Sequence, residues 1–370
     1  MVEIHGFCDE RFAAVREAFA RNFTEAGDVG ASFALTLEGE YLVDLWAGHR
    51  DEAATLSWNE DTIVNVYSTT KTMTALSALL LADRGDLDFA QTVSHYWPEF
   101  GQNGKGDVRV SHLLAHSAGL SGLAEIEGPS DFYDWDLICS RLAAQEPWWE
   151  PGTASGYHAI TQGYLVGEVI RRITGRSLGT FFREELAEPL DADFHIGVDP
   201  HHFDRIGELI PPEEMPGGDS FPAESVAART FGGGNVMSPL ESRTAAWRQA
   251  EIPAANGHGN ARSVTRVQTL LANHGSAFDK TLMSREGCFR VMEEQISGTD
   301  LVLNVPMRFG LGYGLNQGGT MGPHPNTCFW GGWGGSAIVV DLDAKLCFAY
   351  VMNRMDSGVL GDPRGFGLSK

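Results

Sequence analysis

Apolar and polar positions follow different spacings along the chain, and the change separates strand-rich ends from a helix-rich middle. Apolar residues at helical spacing predict an amphipathic helix over residues 10–25. Residues 31–49 alternate about a polar turn and predict a hairpin of two strands. Residues 71–84 are almost purely apolar, and Gly85 is suited to end a helix. We therefore expect a buried central helix at this point.

Helical patterns dominate residues 87–290, with loops rich in glycine and proline between them. The clearest helix of this region covers residues 156–175. Residues 336–353 return to a strand pattern with a turn at Asp343-Ala344. Strands at both ends and helices between them predict an α+β fold, in which one antiparallel sheet is built from both termini, flanked by helices and joined to a helical lobe.

The same pattern gives the expected domain boundaries. A chain of 370 residues is long enough for two packed lobes that share a site. Residues 1–86 and 297–370 are predicted to form the α/β lobe with the antiparallel sheet. Residues 87–296 are predicted to form a mainly helical lobe with loops. We expect the active site to lie between the lobes.

The charge of the chain narrows the range of partners. Lysine and arginine number 27 against 49 aspartate and glutamate residues, which gives a formal net charge of −22. A surface of this sign repels nucleic acid and anionic membranes, so neither is an expected partner. A small-molecule substrate is expected instead. The oligomeric state stays open, with a homo-oligomer as one alternative.

Cysteine usage and the termini bear on the cellular compartment. The five cysteines are scattered and form no CxxC pair, which favours free thiols in a reducing environment. The first residues lack the apolar core of a signal peptide, and no stretch of 18 apolar residues predicts a membrane span. A cytoplasmic location is the resulting expectation.

Ser68-Thr-Thr-Lys71 stands at the start of the predicted central helix and is the first candidate for chemistry. Residues three apart share a helix face, so the lysine amine can reach the serine hydroxyl. Serine needs a neighbouring base to act as a nucleophile, and an apolar environment lowers the pKa of a lysine toward that role. The bland alternative is a serine cap with a solvated lysine, but Lys71 is the only charged residue between Asp61 and Asp83.

Two further segments carry candidate residues. Residues 151–157 form a loop that leads into a helix, and Tyr157 at its end can direct its hydroxyl into a cleft. A cationic lysine beside Tyr157 would ease its ionisation and make it a proton shuttle. The glycine-rich segment 330–336 precedes a strand and would let a backbone N–H of an edge strand approach a substrate carbonyl. A packing tyrosine and an ordinary glycine turn are the simpler alternatives.

These segments, in this order, resemble the serine β-lactamase and penicillin-binding protein superfamily, and most closely its class C β-lactamase-like esterases, the family VIII carboxylesterases. Ser68-Thr-Thr-Lys71 matches the SxxK motif. Residues 151–175 resemble the segment with the catalytic tyrosine, and Trp330-Gly331-Gly332 matches the WGG of these esterases. Residues 110–120 and 251–275 are similar to two further family segments.

The resemblance implies a β-lactamase/transpeptidase-like fold and a mechanism. Ser68 would attack an ester carbonyl, while Lys71 and Tyr157 manage its proton and an acyl-enzyme forms and is hydrolysed. The backbone N–H groups of Ser68 and Trp333 would form the oxyanion hole. Trp330, Gly331 and Gly332 would contact the substrate. No cofactor and no metal are implied.

Two departures from the lactamase pattern favour esters over antibiotics. Ala159 stands where lactamases carry an asparagine that would hold the amide of a β-lactam. Trp330 replaces a lysine that would hold its carboxylate. Small or medium neutral acyl esters are therefore the expected substrates. Alternatives are a β-lactamase, a D-amino-acid peptidase or amidase, an acyltransferase, or a non-catalytic module that senses a ligand.

Several other stretches invite weaker interpretations. Trp148 and Trp149, beside a Pro-Gly turn, and Phe132 are candidates to line an apolar acyl or alcohol pocket. The stretch 115–119 lacks the first glycine of a GxSxG nucleophile elbow and is interpreted as a helix end near the site. Residues 199–204 contain adjacent histidines without zinc spacing and are interpreted as a surface loop. Residues 231–235 lack a phosphate-loop signature and are interpreted as a substrate-side loop.

Overall fold

A computed structural model describes residues 2–213, 221–235 and 237–369. The described residues contain one large sheet and two small ones. In chain order the strands are β1 (Ile4–Cys8), β2 (Gly30–Leu37), β3 (Glu40–Gly48), β4 (Val64–Asn65), β5 (His258–Gly259), β6 (Ser276–Ala277), β7 (Lys280–Thr281), β8 (Ile296–Thr299), β9 (Pro306–Phe309), β10 (Gly314–Leu315), β11 (Thr327–Gly331), β12 (Ala337–Asp341) and β13 (Leu346–Met352).

Helices fill most of the sequence between the N- and C-terminal strands. The α-helices are α1 (Ala13–Glu25), α2 (Thr70–Asp83), α3 (Val93–Tyr96), α4 (Val110–Leu114), α5 (Trp135–Ala144), α6 (Thr161–Thr174), α7 (Leu178–Phe182), α8 (Glu188–Leu190), α9 (Val226–Phe231), α10 (Ala245–Gln249), α11 (Ala261–Ala272), α12 (Arg285–Phe289) and α13 (Pro363–Phe366). Short 3₁₀ turns cover Glu10–Phe12, Tyr67–Thr69, Pro98–Gly101, Pro129–Tyr133, Pro200–Arg205, Pro239–Arg243, Arg290–Met292 and Gly367–Ser369, and a π-helical turn covers Arg183–Ala187.

The large sheet has the strand order β1-β3-β2-β13-β12-β11-β10-β9-β8, and every neighbouring pair is antiparallel. Strands from the two ends of the chain meet where β2 pairs with β13, from Leu37 opposite Leu346 to Ala31 opposite Met352. The prediction of an α+β fold with one antiparallel sheet built from both termini is confirmed.

The sequence also predicted several element ends correctly. The β2–β3 turn uses positive φ at Glu38 (52°) and Gly39 (87°), which suits a tight hairpin. Gly85, one residue past the cap of α2, has φ 82°, and Gly175 ends α6 with φ 72°. Every residue of α2 from Thr70 to Leu81 is buried, as expected for a central helix.

Helix α11 lies elsewhere than the sequence analysis placed it. The boundary at residue 297 assigned it to the helical lobe, but α11 packs across β2, β12 and β13. Two buried hydroxyls, of Thr269 on α11 and Thr36 on β2, hydrogen bond at 2.7 Å. An amphipathic pattern states that one helix face is buried and does not state against which element, so the boundary was set too late in the chain.

The C-terminal segment packs behind the sheet through a buried ion cluster. The Arg364 guanidinium pairs with Asp28 at 2.7 Å and with Asp362 at 2.6 Å. It also donates to the backbone oxygens of Gly334 at 2.7 Å and Arg354 at 2.8 Å. Because Gly334 lies in the turn between β11 and β12, Arg364 links the C-terminus to the glycine-rich segment.

Other predicted features concern thiols and membrane spans. All five cysteine thiols are free, and those of Cys139, Cys288, Cys328 and Cys347 are buried. None of the helices in the described ranges has the length and hydropathy that a bilayer crossing requires.

Arg364→Ala is expected to lower the free energy of unfolding by about 3–5 kcal/mol, because two buried carboxylates lose their cation. Urea denaturation followed by fluorescence measures this difference. Arg11→Ala is the matched control, since Arg11 and Asp9 form an exposed pair, and no measurable change is expected there. Equal stability of the Arg364 variant and the wild type would contradict the structural role of the cluster.

Candidate active site

Ser68 lies in the 3₁₀ turn that leads into α2. Tyr67, the residue before it, has φ 42°, a left-handed conformation that a non-glycine residue rarely adopts. The turn is held by a hydrogen bond from Val66 N to Gly257 O at 2.9 Å and by one between Thr69 Oγ1 and Ser336 Oγ at 2.9 Å. The surrounding contacts therefore stabilise a strained turn that presents Ser68.

Lys71 is completely buried, and its amine contacts three oxygen atoms. Lys71 Nζ lies 3.1 Å from Ser68 Oγ, 2.6 Å from Ala159 O and 2.9 Å from Ala254 O. It forms no ion pair with a carboxylate of the described residues. Burial without a counter-charge holds the pKa of Lys71 well below its usual value.

The partners of Lys71 Nζ determine how its protons are arranged. The carbonyl oxygens of Ala159 and Ala254 can only accept, so each takes one N–H of the amine. A neutral amine has two N–H groups and one lone pair, which then faces Ser68 Oγ. In this state the Ser68 hydroxyl donates to Lys71, and the amine is placed to receive its proton.

Tyr157 completes the cluster from the loop before α6. Its hydroxyl hydrogen bonds to Ser68 Oγ, and Lys71 Nζ lies 4.8 Å from its ring centre. Burial raises the pKa of Tyr157, and the nearby negative charge of Asp300 adds to that effect. The expectation that a cationic lysine eases the ionisation of Tyr157 is therefore wrong, because desolvation favours the neutral form of both groups.

The glycine-rich turn after β11 approaches the backbone at Ser68 closely. A Cβ atom on Gly332 would lie 2.2 Å from Val66 O, and one on Gly331 would lie 2.5 Å from Leu360 O. Only glycine permits these backbone approaches. The backbone N–H groups of Ser68 and Trp333 donate to no acceptor within the described ranges. Both are thus free to bind an oxygen placed at Ser68.

The expected edge strand at this site is not present. β11 lies between β10 and β12 inside the sheet, and the free N–H belongs to the turn that follows it. The short strand β10 pairs with β11 only at Cys328 and Phe329, so the end of β11 at Trp330 and Gly331 extends beyond that neighbour. Trp330 and Gly331 therefore have no described strand partner on the β10 side. A sequence pattern does not distinguish such a local gap from a true edge strand.

Trp330 lies behind Tyr157 instead of facing a substrate. Its ring is 5.6 Å from the ring of Tyr157, stacks on His116 at 5.7 Å and also packs on Phe309. Trp330 is buried, and its indole N–H has no hydrogen-bond partner in the part of the chain that the structure describes. Its place in the site is thus the wall that backs Tyr157.

A cleft opens at Ser68. Its lining is almost entirely apolar and aromatic, and the described lining contains no charged side chain. The amide of Asn235 is fully used, since it bonds to Leu123 N and Leu123 O at 2.8 and 2.9 Å. The lining residues are Tyr67, Ser68, Tyr157, Ala159, Ile160, Phe231, Asn235, Met237, Trp247, Ala255, Trp333 and Val359.

Three predicted pocket aromatics lie outside this lining. Trp148 packs its ring under the Arg229 guanidinium, 4.1 Å away, at a separate surface depression. Trp149 donates to Ala154 O and packs beside Gly156, and Phe132 is a core residue. Proximity to a loop does not determine which way a side chain faces, so this expectation was wrong.

The wall of the cleft comes partly from residues that the sequence analysis did not identify. Trp247, Met237, Ile160 and Val359 carry no motif that marks them. The interpretation of residues 231–235 as a substrate-side loop agrees with the places of Phe231 and Asn235 in the lining.

Two other stretches lie as the sequence predicted. His116, just past the end of α4, packs on Tyr157 with ring centres 5.2 Å apart. Residues 200–205 form a largely exposed 3₁₀ turn, in which His201 pairs with Asp199 at 2.6 Å. Across the described ranges, no three His, Cys, Asp or Glu residues are arranged to hold a metal ion.

Comparisons with known proteins agree with this geometry. The Esterase/beta-lactamase LipL of Mycobacterium tuberculosis is 37% identical, over 98% of this chain and 86% of that protein. A solved family VIII carboxylesterase is 42% identical with a TM-score of 0.92, over 99% of this chain and 97% of that one. A penicillin-binding protein homologue from Caulobacter crescentus is 40% identical with a TM-score of 0.92, over 100% and 98% of the two chains.

The predicted family resemblance is thereby confirmed over nearly the whole chain. The beta-lactamase family model matches residues 19–365. These residues include Ser68, Lys71, Tyr157 and the Trp330-Gly331-Gly332 turn. The chain belongs to the beta-lactamase family.

Proposed function

We propose that this protein is a serine carboxylesterase that hydrolyses small or medium acyl esters through an acyl-enzyme on Ser68. The observation that carries the proposal is the environment of Lys71 Nζ, which is buried without a carboxylate partner among the described residues and contacts Ser68 Oγ beside two carbonyl oxygens. A second support is the relatedness to proteins named esterase or carboxylesterase at 37% and 42% identity.

In the first half-reaction Ser68 Oγ attacks the ester carbonyl carbon as its proton passes to Lys71 Nζ. The resulting oxyanion is bound by the N–H groups of Ser68 and Trp333, which have no competing acceptor within the described ranges. Backbone donors held in place need little reorganisation as the negative charge develops. The strained turn at Tyr67 and the glycine at 332 keep these two donors together.

The tetrahedral intermediate then expels the alcohol. Tyr157 is protonated at neutral pH, because burial raises its pKa, and its hydroxyl lies beside Ser68 Oγ. Tyr157 therefore gives a proton to the leaving alkoxide and regains one from the ammonium of Lys71. In the second half-reaction water attacks the acyl-enzyme, and the same groups move its proton back to Ser68 Oγ.

The cleft favours neutral, apolar groups on the substrate. Tyr67, Trp247 and Trp333 form an aromatic wall, in which the ring centre of Tyr67 lies 6.1 Å from that of Trp247 and 5.0 Å from that of Trp333. A substrate carboxylate would lose its hydration there without gaining a cation, which is unfavourable. The methyl group of Ala159 and the buried Trp330 likewise offer no polar group to a β-lactam.

A β-lactamase is the second candidate, because the name of the relative LipL joins both activities. Turnover of nitrocefin faster than ester hydrolysis would favour it. Peptidase, acyltransferase and non-catalytic sensing have no specific observation in their support. We separately propose a cytoplasmic location, which cell fractionation tests. Light scattering would show whether the protein forms a homo-oligomer.

Ser68→Ala is expected to lower the hydrolysis of p-nitrophenyl butyrate by at least about 10⁴-fold, since the nucleophile is lost. Ser117→Ala is the matched control, because Ser117 is also buried near the site but does not contact Lys71. A fluorophosphonate probe followed by mass spectrometry should label Ser68 alone. Wild-type turnover by Ser68→Ala would contradict the proposal.

Replacing p-nitrophenyl hexanoate by mono-p-nitrophenyl adipate puts a carboxylate in place of the terminal methyl group of the acyl chain and keeps the leaving group. We expect kcat/KM to fall roughly ten- to hundredfold, the cost of one missing charge-assisted partner. Phe231→Arg places a cation in the cleft lining and should reduce the difference in kcat/KM between the neutral and the charged ester. Equal kcat/KM for the two esters in the wild type would show that the apolar lining does not select the substrate.

A further inference from the structure

The connection between β8 and β9 reaches from the edge of the sheet to the loop that carries Tyr157. Asp300, at its start, is completely buried. Its Oδ1 atom accepts the N–H of Tyr157 at 3.0 Å and those of Val302 and Leu303 at 2.9 Å each. One carboxylate oxygen thus ends a local turn and holds the backbone of the proposed proton donor.

A second hydrogen bond runs between the same two segments. Leu301 N donates to Ser155 O at 2.8 Å, so the connection is docked on both sides of Gly156. On the other side of Tyr157, the N–H of His158 donates to His116 Nδ1 at 3.1 Å. The two backbone N–H groups that flank the Tyr157 side chain are therefore both held by buried side chains from distant parts of the chain.

The other oxygen of Asp300 takes no part in these contacts. Oδ2 is buried and has no hydrogen-bond partner among the described residues, and Asp300 pairs with no described cation. Asparagine would serve the turn equally well and would avoid burying a charge, which is costly. The contact with Tyr157 N needs only an acceptor oxygen at the Oδ1 position, which asparagine would also supply.

We propose that Asp300 is a positioning residue that holds Tyr157 so that its hydroxyl meets Ser68 Oγ. The inference rests on the proposed role of Tyr157 in the esterase reaction. A displacement of a reacting group by about 1 Å costs on the order of 10²-fold in rate. Loss of the Asp300 contact should therefore appear in kcat, while KM, set by the cleft lining, should change little.

Asp300→Ser separates the two contacts of the carboxylate, the one within its own turn and the one with Tyr157 N. The shorter serine hydroxyl can still cap the turn at Val302 and Leu303, but it withdraws the acceptor from Tyr157 N. For p-nitrophenyl butyrate, kcat per titrated active site should fall roughly ten- to hundredfold, with KM within about twofold. Asp300→Asn keeps an acceptor oxygen in place and should recover most of that loss.

A double-mutant cycle with Tyr157→Phe distinguishes positioning from general stability. If Asp300 acts through the Tyr157 hydroxyl, Asp300→Ser should cost little more once that hydroxyl is gone. The same fold-loss in both backgrounds, or an unchanged kcat with only a lowered Tm, would overturn the inference. Unchanged kcat in Tyr157→Phe alone would instead refute the proposed role of Tyr157. Should Asp300→Ser not fold, Asp300→Ala replaces it in the same cycle, since a loss of kcat that disappears in the Tyr157→Phe background supports positioning and an unchanged kcat contradicts it.

Discussion

Burial of Lys71 without a counter-ion is the constraint on which the site depends. An ammonium at this position would be desolvated with no carboxylate to offset the cost, so the neutral amine is favoured. The carbonyls of Ala159 and Ala254 hold that amine from two different segments. Because α2 is buried on every side, water does not compete for it. In the proposed mechanism this neutral amine is the base for Ser68.

The large sheet brings separate parts of the chain close to Ser68 and Lys71. The β11–β12 turn approaches through Gly332, and Arg364 holds the same turn from the C-terminal segment through Gly334 O. The β8–β9 connection holds the Tyr157 loop through Asp300. The β11–β12 turn and the β8–β9 connection therefore position backbone and side-chain groups around Ser68 from two different parts of the sheet. The geometry of the site is a property of the whole fold, not of one motif.

Features with local causes could be predicted from the sequence. Helix spacing, the Gly39 and Gly175 positions, and the i, i+3 relation of Ser68 to Lys71 depend on neighbours in the chain. The low pKa of Lys71 could also be expected, because the absence of nearby charges is visible in the sequence. Tyr157 was placed correctly, but its ionisation was misjudged, since the burial of its hydroxyl depends on elements far away.

Features with non-local causes could not be predicted. Trp148 was a predicted pocket residue and Trp247 was not, and only packing shows that Trp247 lines the cleft while Trp148 lies elsewhere. The packing of α11 on β2 and the contact of Asp300 with Tyr157 join residues more than a hundred positions apart. The residue spacings that identify helices and strands do not predict contacts between residues so far apart in the sequence. A glycine-rich motif shows that backbones approach closely, but the partner backbone is known only from the fold.

The protonation state of Lys71 is the central claim, and NMR tests it directly. The chain has only five lysines, so selective ¹³C labelling of lysine gives few signals, and Lys71→Arg and Lys105→Arg assign the two buried ones. Lys105, whose pKa burial lowers to about 8, serves as an internal comparison. We expect the Lys71 Cε signal to titrate well below the ordinary lysine value of about 10.4, so that the amine is neutral above its pKa and charged only below it. A Lys71 signal that stays in the ammonium form up to pH 10 would contradict the account.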